Sequence, residues 1–469
     1  MDLRRIAFAL ALPGLASCAS ASPSSSSPQA AAAASSANDP GAPRTTSSPA
    51  TAATGKAVLR LHGSNTLGFS VVPRLAKAFL EKQGASEVIV NDESRAKERV
   101  WVQARIANVD TSIEIFAPGT RVGFESLGQG GCDLVLASRP ITTAEATKLE
   151  SVGDLTSPAA ETVVAMDGIA VIVHPANPVL KLTVKQLEQV FSGKITNWTQ
   201  LAGKPGPIHV LARDEKSGTH DGFVTLVMQG KQPKAEKNFE DSEALVAAVA
   251  KDEGAIGFVG LPYVKNTKPL AIQDGDTRPV LPTPFAIATE DYPLARRLFF
   301  YTPPNAKTPL TKELVDFALS DEGQAIVSES GFVPLSLRVE TTPVPPNAPP
   351  RYVKLAAGAT RLSVSFRFKN GSASLDAKSR RDLDRLIQHV SSPMNRGRHL
   401  ALAGFADNQG NEETNERVAK QGLDAVASLL AKRGAAPDEV ATFGSALPVA
   451  SNESPDGRAK NRRVEVWLH

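Results

Sequence analysis

A short polar segment behind a single arginine carries the sharpest chemical signal in the sequence. An apolar run ends in Arg213, and a Ser-Gly-Thr segment, residues 217–219, follows four residues later. A guanidinium can hold a tetrahedral oxyanion through two charge-assisted hydrogen bonds. Hydroxyls and a glycine at the start of a helix add donors and let the backbone approach closely. This spacing indicates a binding site for a dehydrated anion.

Two earlier segments have the same chemical character. Gly63-Ser64-Asn65-Thr66 follows residues 58–62, and Ser138-Arg139 follows the apolar residues 134–137. Hydroxyls at a strand-to-helix turn point donors toward an anion. The same residue types also cap ordinary helices, so each segment alone has two interpretations.

The elements that must position these side chains alternate between strands and helices. Residues 58–62 alternate in polarity and predict a strand, and the apolar spacing after it predicts a helix over 71–82. The polar segments therefore lie where a strand gives way to a turn, which predicts an α/β fold.

Residues 57–338 resemble the periplasmic phosphate-binding proteins of ABC importers, the PstS type. The motifs behind this resemblance are Gly63-Ser64-Asn65-Thr66, Ala137-Ser138-Arg139-Pro140, Asp167-Gly168-Ile169-Ala170-Val171, residues 191–198, residues 213–219, Gly254-Ala255-Ile256-Gly257-Phe258, Tyr292-Pro293-Leu294, Glu322-Gly323-Gln324 and Gly331-Phe332-Val333-Pro334. The resemblance implies a type II periplasmic-binding-protein fold, with two α/β lobes that close on an anion. Residues 169–173 are expected to cross between the lobes, with a return near 265–290.

The resemblance also assigns the residues of the anion site. The expected phosphate-binding residues are Ser64, Asn65, Thr66, Thr120, Ser138, Arg139, Arg213, Ser217, Gly218 and Thr219. Some members of the family carry an aspartate at the position of Arg139, where it accepts the proton of hydrogen phosphate and excludes sulfate. Asp214 either replaces that carboxylate or orients Arg213. Phosphate is the leading ligand, and a similar oxyanion is the alternative. Residues 90–115 are longer and more charged than the family pattern.

The C-terminal part of the chain predicts a second, smaller α/β sandwich. The motifs Gly404-Phe405-Ala406-Asp407-Asn408-Gln409-Gly410-Asn411 and Asn461-Arg462-Arg463-Val464-Glu465 resemble the OmpA-like peptidoglycan-binding domain. The resemblance implies that Asp407 and Asn408 contact the stem peptide, with Asp407 binding the ammonium group of diaminopimelate. The family's helix arginine, which binds the carboxylate, is replaced by Gly422, so wall binding is expected to be altered, weakened or lost.

The N-terminus has the pattern of a lipoprotein signal. Residues 1–17 combine Arg4 and Arg5 with a short apolar run, and the segment ending at Cys18 resembles a lipobox. Lipidation of Cys18 would anchor the chain to the membrane, and the residue after it is typical of sorting to the outer membrane. An ordinary signal peptide is the alternative. If Cys18 is lipidated, Cys132 has no partner within the chain.

Composition suggests two flexible segments between the ordered parts. Residues 18–56 are nearly all small or polar, which favours a disordered linker. Residues 339–356 contain a Pro-rich stretch, which predicts a second, stiffer linker before the domain at 357–469.

Several function classes are disfavoured by the sequence. The net charge of +3 is too small and too evenly spread for nucleic-acid binding. Ser217, His220 and Asp221 stand too close together on one helix start to form a hydrolase triad. His62 and His174 are interpreted as solvent-edge residues, not metal ligands. We expect no cofactor, no metal and no enzymatic activity.

These observations predict a binding protein of the cell envelope. The expected protein is an outer-membrane lipoprotein facing the periplasm, which captures phosphate and is tethered to peptidoglycan. An ABC importer is a possible partner. Two alternatives remain: a structural bridge between membrane and wall in which the large domain is adhesive or vestigial, and an enzyme acting on phosphate esters.

Overall fold

The computed structural model describes residues 58–92, 97–306, 308–368 and 374–469. The predicted signal peptide, Cys18 and the linker 18–56 lie outside the described residues. Within the described part of the chain, no helix combines the length and apolar character needed to cross a membrane.

The larger domain alternates strands and helices, as the sequence predicts. Its strands are β1 (Leu59–Gly63), β2 (Ser86–Asn91), β3 (Arg99–Ile106), β4 (Val109–Phe116), β5 (Leu134–Ala137), β6 (Glu161–Val173), β7 (Lys181–Thr183), β8 (His209–Arg213), β9 (Lys237–Phe239), β10 (Ala255–Gly260), β11 (Lys268–Pro269), β12 (Ala271–Gln273) and β13 (Ala295–Tyr301). Its helices are α1 (Asn65–Gly68), α2 (Val71–Lys82), α3 (Thr120–Gly128), α4 (Thr143–Lys148), α5 (Val184–Phe191), α6 (Gly218–Leu226), α7 (Ser242–Val249), α8 (Pro284–Ala288), α9 (Pro309–Leu319) and α10 (Asp321–Glu329).

Strand β6 divides this domain into two lobes. Its first half, up to Gly168, pairs antiparallel with β13, and its second half, from Ile169, pairs antiparallel with β10. The first lobe is built on β1–β5 and β13, and the second lobe is built on β8–β10. Beyond its first residue β6 is buried, which explains the continuous apolar run of residues 169–173. The predicted crossing strand is therefore the second half of β6.

One apolar cluster lies within the first lobe, and a larger one extends from the first lobe into the second. Helix α2 begins and ends where the spacing predicts, and Leu75 and Phe79 pack in the core of the first lobe. In the second lobe the rings of Phe223 and Phe258 stack with centroids 4.0 Å apart, and Phe191 packs against both. The larger cluster also contains Phe124 and Val135 of the first lobe, so apolar packing continues from one lobe to the other through β6.

The long charged segment noted in the sequence forms an antiparallel addition to the first lobe. β2, β3 and β4 lie side by side at the edge of the sheet, in the order β2-β3-β4-β1. Ala107 and Asn108 have φ angles of 46° and 65°, the geometry of a tight two-residue hairpin turn. Residues 99–116 of the charged segment therefore form the β3–β4 hairpin.

The C-terminal domain is a single sheet with helices on both faces. Its strands, in the order β14-β15-β18-β16-β17, are β14 (Val339–Glu340), β15 (Thr360–Arg367), β16 (Leu400–Phe405), β17 (Glu439–Thr442) and β18 (Arg463–Leu468). Its helices are α11 (Pro350–Ala356), α12 (Ala377–Val390), α13 (Glu412–Ala431) and α14 (Pro455–Asn461). Along β16, Leu400 and Leu402 pack toward α12 and α13, whereas Ala401 and Phe405 pack toward α11.

The Pro-rich segment contributes to the C-terminal domain. Val339 and Glu340 pair with β15, and Tyr352 of α11 packs edge-on against the rings of Phe405 and Trp467. Within residues 339–356, the part without a helix or strand is therefore the stretch between β14 and α11. Proline at the first turn of α11 is compatible with a helix start, which the prediction of a spacer overlooked.

Candidate functional site

Three strands, two in the first lobe and one in the second, lead into polar segments that meet between the lobes. β1 runs parallel to β5; Ser64 follows the end of β1, and Ser138 follows the end of β5. β8, which is parallel to β10 in the second lobe, ends at Arg213. In parallel α/β sheets, ligands bind in the crevice outside the carboxyl ends of the strands. The structure thus brings together three segments that lie far apart in the sequence.

The first lobe contributes a group of buried hydroxyls. Thr120 begins α3, and its Oγ1 lies 3.2 Å from Ser138 Oγ and accepts a 3.1 Å bond from the Ser138 N–H. Ser64 precedes α1 without capping it, and the residue is 1% exposed. Its hydroxyl has no hydrogen-bond partner among the described residues. A buried hydroxyl without a partner is costly, and an oxyanion at this point would satisfy it.

The second lobe contributes the start of a helix. Ser217 is the N-cap of α6, and its Oγ accepts a 3.2 Å bond from the Thr219 N–H. The first N–H groups of a helix have no partner within it, and the helix dipole favours negative charge there. α6 therefore aims positive potential at the hydroxyls of the first lobe.

The two halves of the site are in contact with each other. Asn65 Nδ2 donates to the Lys216 carbonyl across the cleft at 3.2 Å. Gly218 packs so tightly that a Cβ at this position would overlap Thr66 Oγ1 and would lie 2.6 Å from Thr66 Cα. Only glycine fits here, so the structure represents a closed cleft.

Arg296, which the sequence analysis missed, lies at the base of this cleft. Its Nε and Nη2 lie 2.9 Å from Asp167 Oδ2, and Nη2 also donates to the Gly218 carbonyl at 2.7 Å and to Thr66 Oγ1 at 3.2 Å. Arg296 is 9% exposed and belongs to β13 of the first lobe. Its bond to Gly218 therefore joins the lobes. The local sequence carries no signal for this role, because Arg296 meets its partners over 78 to 230 residues.

A second carboxylate lies beside the hydroxyls. Asp221 of α6 accepts a hydrogen bond from Ser138 Oγ at 3.3 Å and lies 3.8 Å from Arg296 Nη1. The side chain of Asp221 is 53% exposed. The sequence analysis named Asp214 as the candidate carboxylate near the anion. In the structure the Asp214 N–H donates to the Phe239 carbonyl, and the carboxylate bonded to Ser138 is that of Asp221.

The two arginines expected at the site bind groups of their own lobes. Arg139 pairs with Glu145 through two hydrogen bonds of 2.8 Å, and these bonds raise the pKa of its guanidinium. Burial lowers the pKa of Arg213. Arg213 donates to three acceptors between the end of β9 and the start of α7: the carbonyls of Phe239 and Glu240 and the hydroxyl of Ser242. Each guanidinium carries five N–H groups, more than these bonds use.

His62 is buried, which corrects the expectation of a residue at the solvent edge. It is 7% exposed, and its Nδ1 lies 2.8 Å from Ser126 Oγ. Burial, together with the positive charges of Arg99 and Arg60, lowers its pKa to about 4. Glu114 lies 3.9 Å away, but it pairs with Arg99 and so offers His62 little net attraction. Metal-binding clusters are absent from the described ranges.

Acidification is expected to destabilise the protein through His62. Between the ordinary pKa of 6.5 and the folded value of about 4, the unfolded chain binds a proton that the folded chain does not. The free energy of unfolding therefore falls as pH falls, by about 2 kcal/mol between pH 7 and pH 5. Urea unfolding of the wild type and of His62→Gln at both pH values measures this difference. An equal fall in the free energy of unfolding from pH 7 to pH 5 in the two proteins would exclude His62 as the cause.

The structure shows the surroundings of Asp407, Asn408 and Gly422, the positions that the resemblance links to the stem peptide. Asp407 is 7% exposed and pairs with Arg462, and its Oδ1 accepts a 3.0 Å bond from the Gln409 N–H. The Asn408 N–H faces Asn452 Oδ1 at 3.4 Å. At Gly422, a Cβ would lie 2.8 Å from ring atoms of Phe368. The aromatic ring therefore fills the space at the position where the family carries its arginine.

Restoring the arginine at position 422 is expected to destabilise the protein. In Gly422→Arg the new side chain collides with Phe368, which outweighs the better helix propensity and costs about 1–2 kcal/mol. The neighbouring Gln421 is exposed, so Gln421→Arg serves as the matched control. Urea unfolding of both variants tests this. A Gly422→Arg protein as stable as the control would show that Phe368 yields freely.

Comparisons with known proteins agree with this architecture. A profile described as PBP superfamily domain matches residues 96–322, and one described as OmpA family matches residues 367–462. The chain is 31% identical to "Protein SphX" of Synechococcus elongatus over 280 residues, which covers 56% of this chain and 80% of SphX. It is 33% identical to "Phosphate-binding protein PstS" of Staphylococcus aureus over 233 residues, covering 48% of this chain and 70% of that protein.

Solved structures of similar proteins carry the same kinds of names. The structure is similar to an ABC-type phosphate transport receptor from Vibrio cholerae, with a TM-score of 0.45 and 24% identity, covering 59% of this chain and 99% of that one. A possible phosphate binding protein from Planctomyces limnophilus gives a TM-score of 0.47 and 26% identity, covering 59% and 92%. By its identity to SphX and PstS, the chain belongs to the PstS family of phosphate-binding proteins and carries an OmpA family domain at its C-terminus.

Proposed function

We propose that this protein captures inorganic phosphate between its two lobes. The observation that carries the proposal is the convergence of buried hydroxyls on the start of α6. Ser64, Thr120 and Ser138 approach from the first lobe, and the helix start at Ser217 faces them. Neutral donors and a helix terminus suit an anion that must bind tightly and still be released. The names of the related proteins support phosphate as the ligand.

The carboxylate of Asp221 favours the binding of an oxyanion that still carries a proton over one that carries none. A carboxylate only accepts hydrogen bonds, so beside the anion it needs a ligand that carries a proton. Hydrogen phosphate has such a proton at neutral pH, whereas sulfate has none. Asp221 accepts a hydrogen bond from Ser138, the residue before Arg139. It thus supplies the hydrogen-bond acceptor that an arginine at position 139 cannot supply.

Binding, and not turnover, is the proposed activity. Ser217 Oγ accepts the Thr219 N–H, and the His220 ring lies 6.3 Å from the Phe258 ring. Neither arrangement forms the line of nucleophile, base and orienting carboxylate that acyl or phosphoryl transfer through serine requires.

The C-terminal domain is proposed to hold the receptor at the cell wall. The resemblance assigns Asp407 and Asn408 to the stem peptide; Asp407 pairs with Arg462, and the second charge of the family's site is absent because Gly422, packed against Phe368, stands at that position. Lipidation at Cys18 and an outer-membrane location facing the periplasm belong to the same proposal. A tether of this kind would raise the receptor's local concentration near an ABC importer.

Calorimetric titration with phosphate, arsenate and sulfate tests the proposal. We expect phosphate and arsenate to bind with one site per chain, and sulfate to bind at least about 100-fold more weakly. Pull-down with purified peptidoglycan tests the tether in parallel. Wall binding without any anion binding would favour a structural bridge, and hydrolysis of a chromogenic phosphate ester would favour an enzyme; either result contradicts the proposal.

A further inference from the structure

We infer that the C-terminal domain is docked across the hinge of the receptor and holds its lobes closed, so that domain docking and anion affinity are coupled. The part of this inference that concerns affinity rests on the proposed function. The hinge itself can be observed without any ligand.

The hinge is the point where β6 changes partners. Up to Gly168 it pairs with β13 of the first lobe, and from Ile169 it pairs with β10 of the second lobe. The returning chain passes the same point, because Tyr292 Oη donates to the Ile169 carbonyl at 2.8 Å and the Ile169 N–H donates to Leu294 at 3.2 Å. Any opening of the cleft must bend the chain here.

The C-terminal domain contacts this returning segment through buried charges. Arg367 of β15 lies 3.2 Å from Glu290 and donates to the Thr289 carbonyl at 2.9 Å. Arg361 of the same strand pairs with Asp291 at 2.6 Å. The side chains of these four charged residues are at most 8% exposed. Buried pairs of this kind resist separation, because breaking one leaves an uncompensated charge in the interior.

The same domain also contacts both lobes on either side of the hinge. Arg381 of α12 donates to Thr162 Oγ1 of the first lobe at 3.0 Å. The Ser451 N–H donates to Asp274 Oδ2 at 2.8 Å, just after β12, which packs with β7 in the second lobe. The C-terminal domain is one body with its own core, so a rotation that separates the lobes cannot preserve both contacts.

Two consecutive arginines connect the interface with the cleft. Arg296 faces the cleft, where it contacts Thr66 and Gly218, whereas Arg297 faces Glu290 at 2.7 Å and Asp376 of the C-terminal domain at 2.8 Å. Neighbouring residues on a strand point to opposite faces, so β13 presents one arginine to each site. A shift of β13 must therefore move both sites.

The direction of the coupling follows from the closed structure. The interface is complete while the cleft is closed, so docking adds stability to the closed state. Apparent affinity scales with the fraction of molecules in the binding-competent state. Weakening the interface is therefore expected to weaken anion binding, and by reciprocity anion binding strengthens docking.

Variants at two polar contacts outside the buried ion pairs Arg361–Asp291 and Arg367–Glu290 test the inference. Asp274→Ala removes the contact with the second lobe, and Arg381→Ala removes the contact with the first lobe. Each is expected to raise the phosphate dissociation constant about three- to tenfold, and the double variant more. The matched controls are Glu243→Ala and Lys420→Ala, which break the exposed pairs Glu243–Lys265 and Lys420–Asp424. The controls are expected to bind as the wild type does.

Interlobe distances give a second readout that needs no ligand. Spin labels report the opening of the cleft when they are attached at Lys148→Cys on the first lobe and Lys251→Cys on the second. Both positions are exposed, and the full chain carries Cys18→Ser. The double variant Asp274→Ala/Arg381→Ala is expected to shift the distances toward longer values. Unchanged distances would overturn the inference, whether or not phosphate binds. A shift in a chain that binds no phosphate would support the hinge contact and refute the proposed function.

Discussion

Gly218→Ala is expected to lower phosphate affinity by about 100-fold or more while leaving the protein folded. The new Cβ would overlap Thr66 Oγ1 and lie 2.6 Å from Thr66 Cα. The lobes can avoid this collision by remaining apart, so stability is largely kept, but the two halves of the site no longer meet around the anion. Misplacement of binding groups by about 1 Å is enough for a loss of this size. Calorimetry with phosphate measures the affinity, and thermal unfolding without phosphate measures the stability.

Gly260→Ala is the matched control for this experiment. Gly260 ends β10 in the same lobe, has a φ angle of −64°, and its nearest neighbour would lie 3.8 Å from an added Cβ. This variant is expected to bind phosphate as tightly as the wild type. If Gly218→Ala bound phosphate as well as Gly260→Ala does, closure at Thr66 could not be part of recognition.

Arg296→Gln is expected to lower the free energy of unfolding by about 3–5 kcal/mol. Asp167 is 7% exposed, and Arg296 is bonded to it at 2.9 Å. Removing one partner of a buried ion pair leaves the other charge without compensation, which accounts for a loss of this size. Urea unfolding measures it. Arg433→Gln, which breaks the exposed pair with Asp384, is expected to cost less than about 1 kcal/mol.

A double-mutant cycle separates the charge from the lost contacts. Arg296→Gln/Asp167→Asn removes both charges and is expected to recover much of the stability lost in Arg296→Gln. Phosphate affinity should remain low in the double variant, because the shorter glutamine side chain cannot restore the contacts of Arg296 with Thr66 and Gly218. A double variant no more stable than Arg296→Gln would show that packing, and not charge compensation, explains the effect.

Local patterns in the sequence predicted much of the fold. The apolar spacing gave the bounds of α2, and the resemblance to known families indicated both domains and the crossing strand. The same resemblance indicated the segments 63–66 and 217–219, which the structure brings together. These features depend on residues close in the chain or on motifs of fixed length, so a single sequence contains the necessary information.

Features that depend on distant contacts could not be predicted in this way. Arg296 is an ordinary strand residue until folding places it against Thr66 and Gly218. Arg139 and Arg213 have the right chemistry for an anion, but neighbouring loops supply acceptors that the local pattern does not reveal. Gly422 looks like the loss of a binding residue until Phe368 is seen to fill the space.

A crystal structure of the chain with arsenate, located by the anomalous scattering of arsenic, tests the central claim most directly. We expect one arsenic peak between the lobes, within hydrogen-bond reach of the Ser64 and Thr120 hydroxyls and of the first N–H groups of α6. A peak elsewhere on the protein, or an empty cleft at saturating arsenate, would contradict the claim that these segments form the anion site.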